Sequence, residues 1–234
     1  ESIPSDDKIF GPGNAFVNEA KKQVFGTAGV DLLPGPSEVM VIADETADPS
    51  YIAAALIAQA EHGSGKEKIY LIFTQEVNFE NIVYEIKDQI PKLSHSESIQ
   101  NIFQKGFLAI QSEDLEDITR VANFIAPEHL ELQVKDESLA YLQKEISTAG
   151  ALLLGHYSAT ALGDFVAGPS HVLPTGRSSR FSSGLRIEDF FRRTSIIQYD
   201  EASLQKASRS ALLFSDMEKL DGHGNSISIR LKQD

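Results

Sequence analysis

Four stretches of the chain hold side chains able to bind a metal or move a proton. LIAQAEHGSG (56–65) opens apolar and closes on Gln59, Glu61 and His62 before the first of two glycines. Residues three apart share one face of a helix, so Gln59 and His62 could hold a metal together. The same spacing fits a helix end capped by His62, with Gly63 beyond it. In IAPEHLEL (125–132), Pro127 forces an extended entry and sets Glu128 and His129 just before a strand. Adjacent Glu and His at a helix–strand junction, where parallel sheets place ligands, suit general acid/base work; a solvated loop could carry the same pair. ALGDFVAGPSHVLPTG (161–176) sets Asp164 and His171 around a Gly-Pro turn. Both are ordinary zinc-ligand types, and a plain helix end with a turn is equally open. LDGHGNS puts His223 at the end of the last long helix, where a lone His commonly caps. GPGN (11–14) opens a helix and PGPSEV (34–39) turns tightly into a strand. Each could offer backbone N–H groups to a ligand, and neither matches GxGxxG or a P-loop.

Strand and helix patterns alternate around these stretches. A helix follows Asn14 and stops at Gly26. Residues 38–44 are a β-branched apolar run bounded by turn residues, hence a strand. A helix runs from about Asp48, with Pro49 in its first turn, to His62. Residues 68–74 form a strand and 75–90 an amphipathic helix ended by Pro91. Helices over 96–105, 113–124, 136–146 and 158–166 then alternate with strands over 106–112, 130–134 and 150–155. A Gly/Pro/Ser-rich stretch spans 168–184. This alternation predicts an α/β fold: a Rossmann-like, largely parallel sheet flanked by helices. After Arg193 the pattern changes to TSIIQYD, a long helix over about 201–219 and HGNSISIRLKQD, read as a separate helical C-terminal tail.

Composition narrows the chemistry. The 234 residues carry a formal net charge of −13, which argues against binding a phosphate backbone, so no nucleic-acid partner is expected. There is no cysteine, which excludes disulfides, thiolate metal sites and a cysteine nucleophile. No apolar run reaches membrane-spanning length and no signal peptide is evident, so no membrane partner is expected. A cytoplasmic location suits these features, or an organelle after loss of a transit peptide in a eukaryote. The chain starts at Glu1, without Met, in a polar stretch that reads as the middle of something longer.

Taken together, the motifs resemble the histidinol dehydrogenase family. The matching blocks are IFGPGNAFVNEAKKQV, GPSEVMVIADETADPSYIAAALIAQAEHG, APEHLEL, GHYSATALGDFVAGPSHVLPT, FSSGL and DFFRRTS, in the family's order over nearly the whole chain. The resemblance implies a zinc-dependent, NAD-linked, four-electron oxidation of L-histidinol through L-histidinal to L-histidine. It implies one zinc on Gln59, His62, Asp164 and His223, all four also touching substrate. It makes Glu128 and His129 the acid/base pair, with His129 at the substrate, and adds Ser37, His171 and Glu218 as substrate contacts. Asn14 would lie beside the dinucleotide. His129, with an ordinary pKa of about 6.5, would take the alcohol proton and a second one after the aldehyde hydrates. Glu128 would polarise the attacking water, and NAD would accept each hydride.

Two departures stand out. Ser170 occupies a position where many relatives carry Asn. Roughly the family's first half, which supplies part of the catalytic domain and most of the dinucleotide-binding domain, has no counterpart here. Residues 1–33 then read as a remnant of the dinucleotide-binding domain, 34–193 as part of the catalytic α/β domain and 194–234 as a dimerisation tail. The sheet is expected to be incomplete and the chain alone inactive. The tail is expected to pack on a second subunit, giving a homodimer with shared active sites. Two other readings stay open: a non-catalytic zinc-binding or association fragment, and a zinc hydrolase using a zinc-bound water. The block matches to APEHLEL and AGPSHVLPT disfavour the hydrolase.

Overall fold

The computed structural model describes Pro4 and residues 6–231. These divide into two compact units, one ending at Phe190 and the other starting at Phe191. The first opens with β1 (Lys8–Ile9), α1 (Ala15–Val24) and β2 (Gly29–Val30), β1 and β2 forming a small parallel ribbon. Then come β3 (Glu38–Ala43), α2 (Pro49–Ala60), β4 (Lys68–Phe73), α3 (Phe79–Gln89), α4 (Ser96–Lys105), β5 (Phe107–Gln111), α5 (Leu115–Ile125), β6 (His129–Gln133), α6 (Asp136–Glu145), β7 (Ala151–Leu154) and α7 (Thr160–Phe165). Five strands pair in the order β5-β4-β3-β6-β7, and every pairing is parallel. The expected α/β fold with a parallel sheet is the one observed.

Side-chain alternation explains the layering. Every residue of β3 is buried, as the middle strand of a sheet covered on both faces requires. Val39, Val41 and Ala43 pack with Ile52, Leu56, Ile69, Leu71, Ile99 and Ile102 against α2–α4. Met40 and Ile42 point the other way, joining Leu130, Leu132, Ile118 and Leu142 against α5 and α6. Helix starts follow local chemistry: the side chains of Asn14, Asp48, Asn78 and Asp114 each accept a backbone N–H of the helix they begin.

Several local expectations are corrected. The 75–90 helix starts only at Phe79, because Asn78 caps it and residues 75–78 form the approach. At its other end the α-helix stops before Pro91, as expected, and Pro91 sits in a 3-10 turn, Ile90–Lys92, where its missing N–H is unneeded. His129 is the first residue of β6 rather than the residue before a strand. The tail holds two helices, α8 (Glu201–Met217) and α9 (Asp221–Leu231), packed on each other. His223 therefore lies in the first turn of α9, not at the end of the long helix. Lys219, with φ of 57°, makes the left-handed turn between α8 and α9. Among the described residues no helix is long and apolar enough to cross a membrane.

Candidate functional site

Parallel strands joined by helices send each helix back toward the strands' amino ends. The C-terminal end of α2, carrying Gln59 and His62, therefore returns to the edge where β3 and β6 begin. Ser37 precedes β3, Glu128 precedes β6 and His129 opens it. Helix α7 returns from β7 and brings Asp164 to the same edge. His171 follows on a loop anchored by buried Val172 and Leu173. Seven expected site residues, Ser37, Gln59, His62, Glu128, His129, Asp164 and His171, line one cavity of about 690 Å³. Glu128 and His129 stand at a helix–strand junction, between α5 and β6. Open parallel sheets usually bind at the carboxyl ends of their strands, whereas this cavity lies at the amino ends, because its donors sit near helix C-termini.

The Glu128–His129 pair is held by main-chain geometry. Ala126 ends α5 in the left-handed region, with φ of 51°. Its carbonyl accepts from Ser179 Oγ at 2.9 Å. Pro127 and Glu128 then accept from Gly150 N and Ala151 N at 2.9 and 2.8 Å, docking the turn on the start of β7. A Cβ on Gly150 would lie 2.5 Å from the Glu128 carbonyl oxygen, so only glycine fits there. The Glu128 Oε2 accepts from Glu38 N at 3.0 Å and lies 3.9 Å from His129 Nδ1. His129 Nε2 is 3.2 Å from Asp164 Oδ1. Glu128 and His129 are 7% and 4% exposed.

Burial acts on both groups in the same physical sense, against charge. It pushes the Glu128 carboxyl up to about 8, with the nearby charges of Glu38 and Asp164 adding to the rise. It holds the His129 imidazole below its ordinary value, although the Asp164 carboxylate pulls the other way. Near neutral pH the pair is an uncharged acid beside an uncharged base.

The donor set fits zinc in type. Gln59, buried to 2% exposure, has its Nε2 3.4 Å from His62 Nδ1. His62 Nδ1 also lies 3.1 Å from the Gln59 carbonyl oxygen, leaving Nε2 as its other donor atom. Asp164 uses Oδ1 toward His129 and keeps Oδ2. Amide oxygen, imidazole nitrogen and carboxylate are all zinc ligands by chemistry, with at least one further position to fill. Among the described residues no group of three or more His, Cys, Asp or Glu gathers as a metal cage.

Three expected site residues lie outside the cavity wall. Asn14 spends its side-chain oxygen capping α1, accepting from Phe16 N and Val17 N at 3.0 and 3.2 Å. Its neighbours Pro12 and Gly13, not Asn14 itself, line the cavity. Glu218 and His223 belong to the second unit, Glu218 as the residue ending α8. Ser170 accepts from Val172 N at 3.1 Å, a turn bond that an Asn side chain could also make. The sequence reading passed over Glu38 and Thr175, buried polar residues that brace the cavity. The signal for Glu38 was a carboxylate opening an otherwise apolar strand, EVMVIA.

Fold and cavity together define an α/β protein whose parallel sheet places a buried Glu–His pair beside amide, imidazole and carboxylate side chains. A family profile described as histidinol dehydrogenase matches residues 1–231. Among curated relatives, histidinol dehydrogenase 1 of Nostoc sp. is 40% identical over 232 residues, covering 99% of this chain and 53% of that protein. The Agrobacterium fabrum histidinol dehydrogenase is 43% identical over 231 residues, with shares of 99% and 53%. The crystal structure of histidinol dehydrogenase from Elizabethkingia anophelis superposes with a TM-score of 0.91 at 31% identity, over 99% of this chain and 53% of that one. The chain belongs to the histidinol dehydrogenase family. It spans about half the length of the curated relatives it matches.

Proposed function

We propose that this chain contributes the metal-binding and acid/base half of an NAD-linked, zinc-dependent oxidation of L-histidinol to L-histidine. The observation that carries the reading is the convergence of Ser37, Gln59, His62, Glu128, His129, Asp164 and His171 on one cavity. In this reading Gln59, His62 and Asp164 hold zinc from one chain, and His223, with Glu218 at the substrate, comes from a second subunit of a homodimer. Residues 1–33 belong with the dinucleotide-binding domain, where Asn14 lies near NAD, and 194–234 form the dimer tail. When bound, zinc fixes and polarises substrate nitrogen and oxygen, and NAD accepts hydride.

The chain's own residues handle the protons. His129 is neutral near pH 7 because burial disfavours its cation, so it can accept the alcohol proton. Asp164 beside Nε2 steadies the imidazolium that results. After the imidazolium has released that proton to solvent and the aldehyde is hydrated, the same imidazole takes the second proton. Glu128 holds its own proton up to about pH 8 and can donate a hydrogen bond to the oxygen on which charge develops. Its ionised form, which grows as pH approaches that value, is the one able to draw a proton from water. Ser37 and His171 line the wall and orient the substrate.

Calorimetry with zinc and then L-histidinol tests the reading on this chain. Zinc uptake is expected in the wild type, weaker in Gln59→Ala, His62→Ala and Asp164→Ala, and unchanged in His129→Asn. Equal uptake by all five proteins would sink the assignment. Formation of reduced nicotinamide from L-histidinol by an enzyme of the relatives' full length carrying this sequence tests the reaction itself.

A further inference from the structure

We infer that Glu38 is a positioning residue. Together with Thr175 it clamps the turn carrying Ser37 to the segment that follows His171, and its main chain fixes the Glu128 side chain. This role rests on the histidinol dehydrogenase reading for the identity of the substrate, and on geometry for the rest.

Glu38 is 3% exposed and opens the central strand. An ionised carboxylate buried there is costly unless its oxygens are satisfied. Lys68 Nζ lies 3.8 Å from Oε1, but that lysine side chain is half exposed and offsets little. The better-aimed contact is Oε2, which accepts from Gly176 N at 3.2 Å across 138 residues of sequence. One turn away, Gly35 N donates to Thr175 Oγ1, and Thr175 is 4% exposed. The approach is close: a Cβ on Gly35 would lie 3.2 Å from Thr175 Oγ1. The 35–38 turn and the 175–176 segment are thus joined by two bonds that run in opposite directions. Ser37 lies between the two tie points, and His171 is attached through buried Val172 and Leu173. A third bond, Glu38 N to Glu128 Oε2 at 3.0 Å, adds the acid of the pair to the same assembly. A residue serving only to fill this place would be cheaper as an apolar side chain, like the other five of β3.

The titratable groups around Glu128 are Glu38 from β3, Asp164 from α7 and His129 from β6, with Lys68 from β4 facing Glu38. Removing the Glu38 charge therefore makes Glu128 easier to ionise.

The test uses the labelled 234-residue chain, Glu38→Gln, Glu38→Ala, Thr175→Val and Thr175→Ser. Gln and Ser keep an acceptor oxygen; Ala and Val do not. Exchange of the Gly176 amide in Glu38→Ala, and of the Gly35 amide in Thr175→Val, should rise by about 10-fold, the signature of a local opening. The Kd for L-histidinol should rise by about 10-fold in both, or ~1.4 kcal/mol. Glu38→Gln and Thr175→Ser should stay near wild type in both measurements, while Glu128 titrates at lower pH in Glu38→Gln. Glu38→Ala and Thr175→Val that lose thermal stability yet keep wild-type exchange and affinity would overturn the proposal. Should Glu38→Ala fail to fold, the Thr175→Val and Thr175→Ser pair decides. If the wild type binds no L-histidinol, the substrate reading fails, while amide exchange still decides the clamp.

Discussion

Glu128 and His129 are neighbours whose pKa values burial moves in opposite directions for one reason: neither may carry charge cheaply. The folded value of about 8 for Glu128 lies above its ordinary 4.5. Its contribution to stability is then full below the lower value and is lost as pH rises through the upper one. Glu128→Gln should flatten that fall, so that the wild-type urea midpoint drops relative to the variant's as pH rises from 4.5 to about 8 and the gap stays constant above it. In the full-length enzyme, the second oxidation should rise with pH toward that value in the wild type and lose this limb in Glu128→Gln. A wild-type rate flat across that range would remove Glu128 from the water step. His129 carries the opposite sign. Its lowered pKa gives stability above the ordinary 6.5 that is lost as pH falls. His129→Asn should slow alcohol oxidation by at least about 10²-fold, the usual effect of losing a general base, with zinc content unchanged. Zinc loss in that variant would show that the roles are misassigned.

The elements deliver these residues through features that are mostly local. Helix α2 starts where Asp48 Oδ1 accepts from Ser50 N at 2.8 Å, and its far end carries Gln59 and His62. Asp48→Ala should cost about 0.5–2 kcal/mol in denaturant unfolding while sparing zinc affinity, because the cap lies at the opposite end of the helix from the site. Gly150 acts at closer range. Adding a methyl drives a Cβ toward the Glu128 carbonyl, and backbone on both sides cannot yield freely. Gly150→Ala should cost about 1–3 kcal/mol and shift the Glu128 and His129 resonances, since the β6–β7 tie is the one it strains. An unfolding midpoint equal to wild type would show that the turn relaxes without strain.

At the scale of the whole molecule, the described residues form two compact units. Gln59, His62 and Asp164 stand in the unit ending at Phe190, and Glu218 and His223 in the one starting at Phe191. The proposed dimer has a sharp consequence. Full-length His62→Ala and His223→Ala should each be inactive. In a mixed dimer one composite site carries both defects and the other carries neither. Unfolding the two variants together and reassembling them should restore up to about a quarter of wild-type activity if chains pair at random. No recovery, with chain exchange demonstrated by mass spectrometry, would place His223 in its own chain's site.

The sequence by itself determined the elements and their class. Caps at Asn14 and Asp48, the apolar run of β3 and strand–helix alternation are set by residues close to one another, so they could be read without coordinates. The motif blocks likewise named seven residues of the cavity. They could not say at which end of the sheet these residues meet, because that depends on how α2 and α7 cross back over the strands. Nor could they show that Glu38, an unusual charge on a buried strand, reaches Gly176 and braces Glu128, since those contacts join positions 138 and 90 residues apart. The pKa values were equally out of reach. Desolvation is a property of everything packed around a group, and only the tertiary structure assembles that environment.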